Sequence, residues 1–306
     1  HNITARGVDA HLSGRDVVRS GHRHSMEPMR VLLTNDDGID AGGLLALRRA
    51  LLQIEDVELQ VVAPDGNRSA MARSITTRRP LCVRELEFDD GGVGYATDGT
   101  PVDCVRLAQL GLIPDFTAQL IVSGINHGAN LGDDVTYSGT VAAALEGIML
   151  GLPAVAVSQQ SQAHDLDHRA GRAWDFTTAA AFTARVVRRI AEIGLEPGTL
   201  LNINVPSGEP EGVTVARLGK RVYGDALRIL DEGADGRRYE IYGEAIGLDE
   251  LAQDGEITTD LAAVVAGQIA VTPMHFELTH LAGIDPLVRS DLSALLRPAS
   301  REVAEP

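Results

Sequence analysis

Aromatic side chains are scarce in this sequence: Phe, Trp and Tyr make up 4% of 306 residues, with one tryptophan among them. A core of any size must therefore be aliphatic. Cysteine is nearly absent. Cys82 and Cys104 are the only two, which excludes a disulfide framework, and neither lies at metal-ligand spacing. Basic residues are in deficit, 27 against 43 acidic, for a formal charge of -16. Nucleic-acid polymers draw much of their affinity from Lys and Arg neutralising phosphates, so they are not expected as partners. The local cluster Arg68, Arg73, Arg78 and Arg79 is the one basic concentration weighed against this. Long apolar runs are missing as well. The longest, residues 147–157, is interrupted by Pro153 and falls short of the roughly 20 residues a membrane-spanning helix needs. No charged-then-apolar signal opens the chain. A soluble, cytoplasmic protein with no membrane partner is the expectation.

Glycine, by contrast, is abundant at 32 residues, and 44% of the chain is hydrophobic with 23% charged. These are globular proportions, and the length suits one large domain or one domain with a small appendage. Residues 1–28 show no apolar periodicity and hold four of the nine histidines, so they read as a leader outside the fold. From Arg30 onward, strand, glycine-bearing turn and helix repeat. Strands are expected at 30–34, 57–63, 120–122, 154–158 and 200–205, and helices at 42–52, 101–110, 139–150 and 173–193. Such alternation implies an α/β fold with a parallel sheet covered on both faces. After Val205 the pattern changes to short strands, about 213–217 and 239–242, with the charged turn 231–236 between them. This reads as a hairpin arm. Residues 258–274 return to helix and strand, and the tail beyond Arg297 reads as disordered.

Three polar segments lie where strands of the sheet end. Thr34-Asn35-Asp36-Asp37-Gly38 follows the first strand. Adjacent carboxylates repel each other, and a cation between them is the natural compensation. An acidic turn capping the next helix is the alternative. Pro64-Asp65-Gly66-Asn67-Arg68-Ser69 follows the second strand, and Ser123-Gly124-Ile125-Asn126-His127-Gly128-Ala129-Asn130 a later one. All three would emerge on one edge, where open α/β sheets bind ligands. Carboxylate, hydroxyl and amide oxygens together suit Mg²⁺ or Mn²⁺ better than structural zinc, although three ordinary turns would have the same composition. A fourth segment, Tyr137-Ser138-Gly139-Thr140, opens the helix at 139. It presents either free N–H groups to a phosphate or a simple N-cap by Ser138 or Thr140. Gly99-Thr100-Pro101 is a weaker candidate of the same kind. His164-Asp165-Leu166-Asp167-His168 reads as a solvated loop, because nothing apolar is there to hold a metal cluster. Gly91-Gly92-Val93-Gly94 is no dinucleotide fingerprint, since its third glycine is missing.

In combination these segments resemble the SurE (survival protein E) family of metal-dependent nucleoside monophosphate phosphatases. The likeness runs through Val31–Ile39, Val62–Asp65, Thr97–Val105, Ser123–Asn130, Ser138–Gly147, Thr259–Val264 and Val271–Pro273, in order from Met29 to about Met274. The resemblance implies a Rossmann-like three-layer core (29–220), and a hairpin arm with an oligomerisation region (221–280) returning to the core and exchanged between subunits. A C-terminal helix and tail (281–306) complete the chain, which would form a homodimer or homotetramer. It further implies one divalent ion per subunit, Mg²⁺ or Mn²⁺, held by Asp36, Asp37, Ser69 and Asn126. Asp36 and Asp37 would be catalytic, and Asn126, Ser138, Gly139 and Thr140 would bind phosphate. The substrates implied are nucleoside 5′- and 3′-monophosphates, with polyphosphate as a further substrate. Arg68-Ser69-Ala70 departs from the family's commoner Gln-Ser-Gly, and the leader has no counterpart. A phospho-accepting signalling receiver and a non-catalytic nucleotide-binding subunit are the rival classes. A receiver would need a lysine on a late strand, and Lys220 is in the wrong place.

Overall fold

The computed structural model describes residues 27–162, 173–233, 236–248, 257–290 and 292–296. In the first strand, β1 (Met29–Thr34), alternation sends Val31 and Leu33 to one face of a sheet and Leu32 to the other, as a period of two requires. Along the chain follow α1 (Gly42–Leu51), β2 (Val57–Pro64), β3 (Val83–Glu87), β4 (Val93–Thr97), α2 (Pro101–Gln109), β5 (Leu120–His127), α3 (Gly139–Met149) and β6 (Ala154–Gln159). Then come α4 (Thr177–Arg188), α5 (Ile190–Ile193), β7 (Thr199–Val205), β8 (Gly212–Val215), β9 (Arg221–Gly233) and β10 (Gly236–Leu248). The last elements are α6 (Asp260–Val265), β11 (Gln268–His275) and α7 (Ile284–Arg289).

Nine strands form one sheet in the order β3-β4-β2-β1-β5-β6-β7-β11-β8. Strands β4, β2, β1, β5, β6 and β7 run parallel, whereas β3 is antiparallel to β4 and β11 to β7. Helices α1 and α4 cover one face with Leu44, Leu47, Leu51, Ala179 and Val187. Helices α2 and α3 cover the other with Cys104, Val105, Ala108, Val141, Ala143 and Ala144. Small residues let α3 sit close to the sheet: a Cβ at Gly147 would stand 2.7 Å from the Ile121 side chain. The result is a doubly wound, mostly parallel α/β sandwich of Rossmann-like type. Its strand order reverses between β1 and β5, where such sheets leave a crevice at their carboxyl ends.

The structure corrects several expectations. Strands β3 and β4 had no counterpart in the sequence reading. The outer one, β3, is a charged and largely exposed edge strand, a normal way to blunt a sheet edge, and so it lacks the apolar run of an interior strand. The helix expected over 173–193 starts only at Thr177 and is divided at Arg189, ending against left-handed Gly194. Its start is set by Asp175, whose Oδ1 accepts from the Thr177 N–H at 2.9 Å; such local bonds compete with helix. Residues 123–127, expected as loop, continue β5 and pair with β6 across an irregularity between Ser123 and Asn126. Glycine makes this approach feasible, because a Cβ at Gly124 (φ +134°) would lie 2.3 Å from the Val157 carbonyl oxygen. The strand near 213 does not belong to the hairpin. It is β8, parallel to β11 at the sheet edge, while β9 and β10 pair with each other as a separate antiparallel hairpin of 13-residue strands.

After that hairpin the chain returns to the core. Asp260, at the start of α6, accepts backbone N–H bonds from Gly132 (2.8 Å), Gly219 (2.8 Å) and Leu261 (2.9 Å). Burial raises its pKa against the pull of these amides. Residues 1–26 of the segment 1–28 expected as a leader, the 164–168 segment and the tail after 296 lie outside the described residues.

Candidate functional site

Four loops meet at the carboxyl ends of β1, β2 and β5. The turn after β1 is shaped by Asn35, whose Oδ1 accepts from the Gly38 N–H (3.2 Å) while its Nδ2 donates to the Gly38 carbonyl (2.9 Å). Gly38 takes φ +108°, and a Cβ there would stand 3.1 Å from the backbone of Gly66. The β1 and β2 loops therefore touch backbone to backbone. The Arg68 N–H donates to the Asp36 carbonyl at 2.6 Å. Asn67 links the loops a second time: its Nδ2 donates to Asp37 Oδ1 (3.2 Å) and its Oδ1 accepts from the Ser69 N–H (2.9 Å).

Both carboxylates are buried, Asp36 at 3% exposure and the Asp37 side chain at 2%. The hydroxyl of Thr140 donates to Asp36 Oδ1. Asp37 Oδ2 accepts from the His127 backbone N–H at 3.0 Å and lies 2.9 Å from His127 Nδ1. Burial first, and then the neighbouring charge of Asp37, push Asp36 up to about 6; the Thr140 hydroxyl and amide pull in the other direction. Among the described residues no arginine or lysine forms an ion pair with either aspartate. Nor do three of His, Cys, Asp and Glu gather into a cluster there. The donor set is thus two carboxylates with neutral oxygens beside them, the chemistry that suits a hard divalent ion.

The sequence-expected residues fall as follows. Asp36, Asp37 and Thr140 are in direct or shared contact. Ser69 is tied to Asp37 through Asn67. Asn126 is buried at the end of β5, with Nδ2 donating to the Gly128 carbonyl at 2.8 Å, which turns its amide oxygen away from that bond. Gly139 is the closest approach of α3 to the acidic pair: a Cβ there would lie 2.7 Å from Asp36 Cβ. Ser138 is the N-cap, its Oγ accepting from the Val141 N–H at 3.1 Å. Its hydroxyl therefore serves the helix, and the amides of Gly139 and Thr140 stand at the helix N-terminus, where anions are favoured. The Gly99-Thr100-Pro101 candidate is instead a closed capping box. Thr100 Oγ1 accepts from the Asp103 N–H and Asp103 Oδ2 from the Thr100 N–H (3.2 and 2.9 Å).

Asn67 and Asn130 were not singled out from sequence, and His127, in the third loop, could from sequence face either substrate or water. Asn67 and His127 sat inside recognised loops, but only folding turns them onto Asp37. Asn130 holds the third loop in place. Its N–H donates to Asn204 Oδ1 (2.7 Å), its Nδ2 to Ser158 Oγ (2.8 Å), and its carbonyl accepts from Asn202 and Asn204 (2.9 and 3.0 Å).

A doubly wound α/β protein with a buried carboxylate pair at its topological switch point is the class that fold and site define. Residues 31–225 match the family described as Survival protein SurE. The chain is 47% identical to the 5′-nucleotidase SurE of Rubrobacter xylanophilus over 273 residues, 88% of this chain and 99% of that protein. It is 45% identical to the 5′-nucleotidase SurE of Pelotomaculum thermopropionicum over 89% of this chain and 96% of that one. The crystal structure of the SurE protein from Aquifex aeolicus superposes with a TM-score of 0.68 at 35% identity, covering 85% of this chain and 99% of that chain. The chain belongs to the SurE family.

Proposed function

We propose that this chain is a divalent-metal-dependent phosphomonoesterase that hydrolyses nucleoside 5′- and 3′-monophosphates to nucleoside and phosphate, with shortening of polyphosphate as a further activity. It would work in the cytoplasm as a homodimer or homotetramer, with the region of residues 221–280 exchanged between subunits. The observation that carries the reading is the pair of buried carboxylates, paired with no arginine or lysine among the described residues, set against the N-terminus of α3. Its curated relatives named 5′-nucleotidase support the substrate class.

Asp36, Asp37, Ser69 and Asn126 would hold one Mg²⁺ or Mn²⁺. Such an ion, when bound, polarises a phosphoryl oxygen and makes water a stronger nucleophile at neutral pH. The chain's own groups do the rest. Thr140 fixes the Asp36 carboxylate and His127 the Asp37 carboxylate, so neither must reorganise during the reaction. The amides of Gly139 and Thr140 bind phosphate oxygens at the positive end of α3. The loop anchored by Asn130 keeps Asn126 in place beside them.

The test is phosphate release from AMP, first with EDTA and then with added Mg²⁺ or Mn²⁺, beside the Asp37→Asn protein. Release that returns with metal in the parent and falls by at least roughly a hundredfold in the variant, with an unchanged circular dichroism spectrum, is the expected result; removing one preorganised charge-stabilising group costs about that much. Undiminished release by Asp37→Asn overturns the assignment. Binding of AMP without release by the parent would make the chain a nucleotide-binding subunit, and stable retention of label from a phospho-donor would make it a receiver.

A further inference from the structure

The chain's one tryptophan lies beside this site. His127, whose Nδ1 is 2.9 Å from Asp37 Oδ2, turns its ring toward two aromatic neighbours. The Trp174 ring centroid is 5.5 Å away at an interplanar angle of 57°, and that of Phe176 is 5.0 Å away, edge-on at 66°. Trp174 and Phe176 are close to parallel, 9° apart, with centroids separated by 6.4 Å. In a chain only 4% aromatic, three flat rings meet at the edge of the acidic site. Phe176 packs against the aliphatic core on that side of the sheet, whereas Trp174 is not among the side chains packed against that core.

Trp174 is only half-buried. With Phe176 it lines an open groove of about 550 Å³ between α1 and the start of α4, whose walls also include Gly42, Ala46, Arg49 and Gln53. One imidazole thus separates the carboxylate pair from a half-buried indole. In a nucleoside monophosphate one ribose separates the phosphate from the base. Bases stack readily on tryptophan because every base has a π-face, and amide or guanidinium groups such as those of Gln53 and Arg49 suit the polar edge of a base.

We infer that Trp174, set against His127 at the rim of the Asp36–Asp37 site, is the platform on which the substrate's nucleobase stacks. Selectivity for nucleotides over other phosphomonoesters then resides in this indole and not in the phosphate-binding loops. This rests on the nucleotidase reading above. Trp174 is a binding residue; it takes no part in phosphoryl transfer.

Because Trp174 is the only tryptophan, its fluorescence reports the contact without any turnover. With EDTA present, so that AMP is not consumed, AMP is expected to quench that emission saturably, and ribose 5-phosphate at matched occupancy is not. In kinetics, Trp174→Ala should lower the ratio of kcat/KM for AMP to kcat/KM for ribose 5-phosphate by roughly tenfold, the scale of losing one base–aromatic stack. The loss should fall in KM for AMP, and Trp174→Phe should restore most of it. An unchanged ratio, whether both substrates weaken together or neither does, overturns the platform, since a purely structural role of the indole would treat the two alike. Quenching by ribose 5-phosphate equal to that by AMP overturns it too. If the parent releases phosphate from neither compound, the phosphatase reading falls, and the fluorescence titration still decides whether a base stacks on Trp174.

Discussion

Gly139 shows how closely the site is packed. The helix whose first amides are proposed to bind phosphate reaches Asp36 only because residue 139 has no side chain: an added methyl would be 2.7 Å from Asp36 Cβ and 2.8 Å from its Oδ2. The neighbour there is a buried carboxylate held by Thr140, so it has no free direction in which to yield. Gly139→Ala is expected to cost about 1–3 kcal/mol of stability, the usual penalty of overpacking, and to depress kcat/KM more than tenfold by displacing Asp36. Thermal melts and AMP kinetics on the one variant check both parts. At this scale much was legible. Asn126 takes its role only from the family resemblance, whereas Asp36 and Asp37 announce themselves by adjacency of charge and Thr140 by its position before a helix. Asn67 and His127 did not, because their contacts to Asp37 span 30 and 90 residues of chain and no local pattern encodes them.

Among the elements, α1 is clamped to the β3–β4 edge. Arg48 of α1 donates two hydrogen bonds to Asp90 in the turn between those strands, at 2.6 and 2.9 Å, and its guanidinium lies 4.0 Å above the Phe88 ring. The Arg48 bonds, with the Gly92 N–H, hold Asp90 down to about 2. A carboxyl depressed in the folded state stabilises the fold above its unfolded pKa of about 3.9, and that contribution is lost as pH falls through the folded value. The difference in melting temperature between the parent and Asp90→Asn should accordingly be constant from neutral pH to about pH 4 and close as pH approaches 2. A difference that stays constant through that acid range would show that the clamp does not titrate as the structure implies. Of the run Gly91-Gly92-Val93-Gly94, the first two residues belong to this turn and the last two open β4. Strand β3 escaped notice because an edge exposes charge where an interior strand would show an apolar run.

For the molecule as a whole, the C-terminal region bears on assembly. Leu281, Ile284, Leu287, Val288, Leu292 and Leu295 are all exposed, and Ile284, Leu287, Val288 and Leu292 line one apolar groove. Exposed leucines and valines this dense are unusual on a monomer's surface, and they favour the proposed homodimer or homotetramer. Sedimentation at micromolar concentration should give a dimer or larger species, and Leu287→Glu combined with Val288→Glu should raise the monomer fraction. A parent protein that sediments as a monomer throughout would remove the assembly from the proposal. Among the described residues no helix is long and apolar enough to cross a membrane.

The sequence by itself determined the layer architecture and the chemistry available. Period-two and period-3.6 patterning are local properties, and so are the placement of acidic, hydroxyl and amide residues at strand ends and the glycines that allow sharp turns. Tertiary structure alone decided which of those groups meet. The reversal of strand order between β1 and β5 brings the 36–37, 65–69, 123–130 and 138–140 segments to one crevice. It joins Asn67 and His127 to Asp37, and it leaves the single tryptophan one ring away from the carboxylates. These contacts depend on strand order and on approaches so close that an added Cβ would stand about three ångströms or less from its neighbour, where only glycine fits. A linear pattern does not carry that information, because strand order is settled only when the sheet closes its two hydrophobic faces.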